Sequence, residues 1–66
     1  MIKNNIERLR TQKNKTKAHL ARQVGVDRST ITRLEQGVIQ PSGELMFKFS
    51  IYFKCKIEEL FYFVNG

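Results

Sequence analysis

From Asp27 to Gly37 the sequence runs DRSTITRLEQG, a stretch with many hydrogen-bonding side chains and only two large aliphatics, Ile31 and Leu34. On a helix turning about 100° per residue from Arg28, Thr32 falls near 40°, Gln36 near 80°, Ser29 near 100° and Arg33 near 140°. Thr30, Leu34 and Ile31 fall near 200°, 240° and 300° on the same wheel. One face can form hydrogen bonds throughout, and the opposite one is an apolar anchor. The chemistry open to such a face is recognition. Arginine reads guanine O6 and N7 as a fork, glutamine reads adenine, and serine and threonine read either. Arg28 at the helix start opposes the macrodipole at a cost of a few tenths of a kcal/mol, so local stability did not select it. An anion facing that helix end would. The plainer reading of the same four residues, Arg28, Ser29, Thr32 and Arg33, is a solvated helix face.

Other residues with chemical potential lack partners. His19 has no companion set for metal binding or catalysis and reads as an exposed helix residue. Cys55 is the single cysteine, which excludes an intramolecular disulfide and fits a reducing compartment. It reads as a small packed apolar residue. Glu58 and Glu59 are adjacent, so on a helix they point about 100° apart and form no catalytic pair. There is no nucleophile–base set, no metal-ligand spacing and no phosphate-cradling glycine loop. The expectation is no enzyme, no metal and no cofactor.

The elements that must position the reading face follow from apolar spacing and caps. A first helix is expected over about 4–12, with Ile2, Ile6 and Leu9 at helical spacing. Asn14 stands where a left-handed residue would end it. Thr16 is an N-cap for a second helix over 17–24, with Leu20, Ala21 and Val24 inward. Its third helical residue is His19, so the reciprocal capping box is missing. Gly25 ends that helix, Asp27 caps a third over 28–36, and Gly37 closes it. Two short helices meeting at a tight glycine turn form a helix-turn-helix unit. The loop VIQPSG (38–43) carries the only proline, and Ser42 caps a fourth helix reaching about Phe53, with Leu45, Phe49 and Phe53 inward and Met46 and Tyr52 flanking. IEELF is expected to be a short fifth helix with Ile57, Leu60 and Phe61 inward. The tail YFVNG is either frayed helix or strand.

With 66 residues the chain is one small domain, 1–66, in which a partner subunit would help stability. No apolar run approaches the roughly 18 residues of a membrane span, and no apolar leader follows the first lysine. The reading is a cytoplasmic protein with no membrane partner. The net charge of +6 is uneven. Residues 1–40 hold nine basic and three acidic side chains, whereas 41–66 hold three of each. Excess charge confined to one part fits a polyanionic partner there, with a solubilising surface as the alternative.

The segment KAHLARQVGVDRSTITRLEQG resembles the Cro/C1-repressor (Xre) family of helix-turn-helix DNA-binding proteins, through Leu20, Ala21, Gly25, Val26, Ile31 and Leu34. The similarity continues through LEQGVIQPSGEL and IEELF, from about Asn4 to Phe61. It implies an all-α, compact five-helix, lambda-repressor-like domain that binds double-stranded operator DNA as a homodimer. Arg28, Ser29, Thr32 and Arg33 would contact bases. Thr16 and Lys17 would contact phosphates from the second helix's N-terminus, and Gly37, Val38 and Gln40 from main-chain N–H groups along the loop. Arg10 and Glu35 match a pair that forms a salt bridge between the first and third helices, with one edge of Arg10 left for a phosphate. Lys15 stands where the family prefers an apolar residue. Lys54 stands where it prefers glycine, so a left-handed residue there costs about 1 kcal/mol or the turn differs.

Ile51, Tyr52, Phe61, Tyr62, Phe63 and Val64 are more apolar surface than a core this small easily covers, so a dimer contact is expected over about 50–66. The alternative is a tail folded back over its own core. The functional expectation is a transcriptional regulator, a repressor acting on a palindromic operator, with no small-molecule ligand. The rival is an antitoxin-like protein-interaction module that also controls its own promoter.

Overall fold

The computed structural model describes residues 2–65, with elements in the order β1 (Ile2–Asn4), α1 (Ile6–Gln12), α2 (Lys17–Val24), α3 (Arg28–Glu35), α4 (Gly43–Phe53), α5 (Ile57–Leu60) and β2 (Phe61–Phe63). All five expected helices are present, and a small antiparallel sheet joins the two ends of the described chain. Ile2 pairs with Phe63, Lys3 with Tyr62 and Asn4 with Phe61. This corrects two boundaries and decides between the two readings of the tail. The first helix starts at Ile6, because Asn4 is extended. IEELF ends its helix at Leu60, because Phe61 turns to φ −125° and ψ 137°. The tail begins as a strand.

Asparagines make that join. Asn5 donates its N–H to the Leu60 carbonyl at 2.8 Å and its side-chain amide to the Glu59 carbonyl at 3.0 Å. The Asn4 side chain accepts from the Ile6 N–H at 3.1 Å, covering one orphan donor of α1, and donates to the Leu34 carbonyl at 2.8 Å. One residue thus ties the first strand, the first helix and the end of α3.

Four helices stop in the same way. Asn14, Gly25, Gly37 and Lys54 all adopt positive φ. In each case the next N–H reaches back to a carbonyl five residues earlier: Lys15 to Arg10, Val26 to Ala21, Val38 to Arg33 and Cys55 to Ser50. This is the Schellman closure, which satisfies carbonyls the helix leaves open. Gly25 and Gly37 adopt the left-handed state without a Cβ penalty. Asn14 tolerates it, and Lys54, with φ 54°, carries the strain expected of it.

The core gathers Ile6, Leu20, Ala21, Val24, Ile31, Leu34, Phe49, Phe53, Leu60 and Phe61. Leu9, Val26, Leu45, Met46, Tyr52 and Ile57 are half-buried and pack against it. Full burial of each large side chain contributes roughly 1.5–3 kcal/mol. The Phe61 ring tilts against Phe49 at a 6.2 Å centroid separation. Phe61 therefore belongs to the core of its own protomer, and the expectation that it lies on an intersubunit surface is corrected. Part of the tail does fold back.

Candidate nucleic-acid interface

The α2–α3 unit is built from a small residue and a tight turn. Ala21 is buried, Gly25 takes φ 76°, and Val26 packs on the core. Ile31 and Leu34, both with no exposure, anchor α3 from below. The opposite side of α3 leaves Arg28, Ser29, Arg33 and Gln36 exposed and Thr32 half-exposed. The Thr32 hydroxyl donates to the Arg28 carbonyl at 3.3 Å, which leaves its lone pairs facing outward as acceptors.

Asp27 occupies the N-cap position with extended backbone, but its carboxylate takes no hydrogen bond from the first turn. The Asp27 carbonyl accepts from Thr30 and Ile31 instead, at 3.0 and 3.3 Å. The expected side-chain cap is thus absent. The first N–H groups of α3, those of Arg28 and Ser29, point out of the helix end without an intrahelical acceptor.

At the start of α2, the Thr16 side chain accepts from the His19 N–H at 3.0 Å, as a cap should. Its hydroxyl proton stays available, and it lies beside the half-exposed Lys17. His19 is half-buried, its ring 6.4 Å from that of Tyr52 on α4, which corrects its reading as an exposed residue.

Arg10 fixes α3 to α1. Its Nε donates to Glu35 Oε2 at 2.7 Å, its second amino group to Oε1 at 3.3 Å, and its third donor group to the Lys15 carbonyl at 2.8 Å. The side chains of Arg10 and Glu35 keep 11% and 2% exposure. The hydrogen bond to Glu35 pushes the Arg10 guanidinium above its already high ordinary value, with burial opposing it. Three of the donor groups of Arg10 are committed inside the domain, so its role here is to orient α3.

The loop after α3 departs from expectation. The N–H groups of Gly37 and Val38 donate to the Leu34 and Arg33 carbonyls, at 3.1 and 2.9 Å, to close the helix. They are not free for phosphates. Among the described residues, those of Ile39 and Gln40 have no protein acceptor. Asn4, whose bond to the Leu34 carbonyl steadies the same end, was not singled out in the sequence. The adjacent asparagines before Ile6 are the signal that could have found it.

The apolar surface is also rearranged. Ile51 and Phe63 are 76% and 77% exposed, and Phe47 on α4 joins them at 62%. Tyr52 and Val64 are half-buried. Tyr62 is exposed opposite Lys3, on the sheet face that alternates with Phe61 and Phe63. Among the described residues no helix is long and apolar enough to cross a membrane.

Comparison with known proteins agrees with this geometry. A family model described as helix-turn-helix matches residues 6–60. An uncharacterized helix-turn-helix-type transcriptional regulator from Methanocaldococcus jannaschii is 40% identical over 60 residues, covering 91% of either chain. Another from Archaeoglobus fulgidus is 40% identical over 62 residues, covering 94% of this chain and 87% of its own. The crystal structure of a candidate DNA-binding protein from Bacteroides fragilis superposes with a TM-score of 0.83 at 27% identity, covering 94% of this chain and all of the other.

Proposed function

Because the chain belongs to the Cro/C1-type helix-turn-helix family, we propose that it is a DNA-binding transcriptional regulator that lays α3 in the major groove. The observation that carries this is the outward face of α3, where Arg28, Ser29, Thr32 and Arg33 are held over a buried anchor and an Arg10–Glu35 brace. Arg28 and Arg33 supply guanine-reading forks, while Thr32, with its proton spent on the helix, accepts from a base amino group. Thr16 and Lys17 hold a phosphate at the start of α2, and the Ile39 and Gln40 N–H groups hold another beyond α3.

The regulator acts as a homodimer on a palindromic operator and represses by occupying the promoter. The subunits meet through Ile51 and Phe63, flanked by Tyr52 and Val64. A two-fold pair sets the two α3 helices about 34 Å apart, one turn of duplex. The test is selection of bound duplexes from a random library. A palindromic motif is expected, and Arg33→Ala should lose preference at one position at a cost of about 1–3 kcal/mol. If Arg33→Ala keeps the full preference, the groove assignment is wrong. The exposed Phe47, Ile51 and Phe63 favour one rival, an antitoxin-like module whose main partner is a protein. Absence of any enriched motif would select it.

A further inference from the structure

Beside the C-terminal end of α3 lies an open cleft of about 230 Å³, lined by Lys3, Asn4, Glu35, Gln36, Gly37 and Tyr62. Gln36 belongs to the reading face, between Thr32 and Ser29 on the helical wheel. The cleft therefore continues that face past the last turn of α3. Lys3 and Tyr62 are direct cross-strand partners, so their side chains rise from one face of the sheet. Both are exposed.

The charge balance of the cleft is set by its neighbours. Glu35 is its one acid, and Arg10 neutralises that carboxylate from behind. Among the described residues Lys3 has no carboxylate within ion-pair distance. The negative end of the α3 dipole would repel a phosphate here. However, the Thr32, Arg33 and Leu34 carbonyls are all taken, by Gln36, Val38 and Gly37, with Asn4 adding a second bond to Leu34. The same closure removes the Gly37 and Val38 N–H groups as phosphate donors. A backbone passing this end of the helix meets an uncancelled ammonium and a phenol.

We propose that Lys3 and Tyr62 form a phosphate clamp on the DNA backbone at the C-terminal end of α3, with Lys3 as the point charge and Tyr62 as a hydrogen-bond donor. The clamp rests on α3 occupying the major groove. It also gives Tyr62 a role separate from any contact between subunits, since the strand turns Phe63 to the other face.

The test measures binding of the full chain to its selected duplex and to an unrelated duplex over a series of salt concentrations. Lys3→Ala should lower the slope of log affinity against log salt by about 0.9 per bound protomer on both duplexes, about fivefold in affinity for each protomer at 0.15 M salt. Lys3→Arg should restore the slope. Tyr62→Phe should weaken both complexes with the slope unchanged, and sedimentation should show the same assembly state for every variant. An unaltered slope in Lys3→Ala would overturn the clamp, as would a change of assembly state in Tyr62→Phe. If the wild-type chain still prefers its selected duplex through Arg33, such a failure leaves the groove reading standing. Loss of that preference in the wild type would sink both.

Discussion

Removing Arg10 should cost this domain a large share of its stability. At about 0.05–0.15 kcal/mol per residue, a chain this size has roughly 3–10 kcal/mol to lose. Glu35 keeps 2% side-chain exposure and takes two hydrogen bonds from Arg10. Arg10→Ala strands that carboxylate, and an uncompensated buried charge costs about 3–5 kcal/mol. Glu35→Gln preserves the shape and one acceptor but loses one of the two bonds and the counter-ion of the guanidinium, so it should cost about 1–3 kcal/mol, less than Arg10→Ala because Arg10 keeps its bond to the Lys15 carbonyl. Replacing both by methionine removes charge and partner together and should cost far less than the two single methionine changes combined, because buried ion pairs exchange for apolar packing at little net cost. Urea denaturation followed by far-UV circular dichroism, at one protein concentration, reads all variants, and an unchanged m-value shows that stability alone has moved. A loss below about 1 kcal/mol for Arg10→Ala is the value of a surface pair and would refute the reasoning. So would a double variant whose loss equals the sum of the single methionine losses.

Lys54 holds a left-handed backbone at φ 54°, so Lys54→Gly should stabilise the domain by about 0.5–1 kcal/mol in a thermal melt, with Asn14→Gly giving less. Burial pushes the Cys55 thiol up, the Glu59 charge adds to this, and Lys13 opposes it. Alkylation of the native protein by iodoacetamide should accordingly begin at higher pH than that of the urea-unfolded chain. The folded state keeps a proton the unfolded chain releases, so stability should fall as pH rises past the ordinary cysteine range, and Cys55→Ser should remove that part of the fall.

The reading head was legible because its signals are local. Thr16, Gly25 and Gly37 sit at helix ends where only a few residue types serve, and Ile31 and Leu34 mark a narrow anchor between polar neighbours. The Arg10–Glu35 pair, 25 positions apart, came through the family resemblance, since no spacing rule links the two. The sheet escaped because Ile2 falls in helical spacing with Ile6 and Leu9, so the periodicity ran on through a strand of three residues. Its partner, FYF, is aromatic at every position and shows no alternation, although aromatic runs favour strands. Spacing within IEELF turns Phe61 inward, but whether the tail beyond it is covered depends on where the other end of the chain lies, which no local pattern carries. The fate of the Gly37 and Val38 N–H groups was equally hidden. The glycine announces the turn, but not which carbonyls consume its donors.

Pairing of residues 2–4 with 61–63 has a consequence during synthesis. The first strand leaves the ribosome long before its partner exists, and at about 5–20 residues per second the wait lasts seconds. Through that interval Asn5 lacks the Leu60 carbonyl and the core lacks Leu60 and Phe61. The nascent chain therefore has α2 and α3 before it has the element that completes the core beneath them. The fold thus closes only when residues 60–63 arrive, and the last turn of chain to be made completes the core and the sheet together.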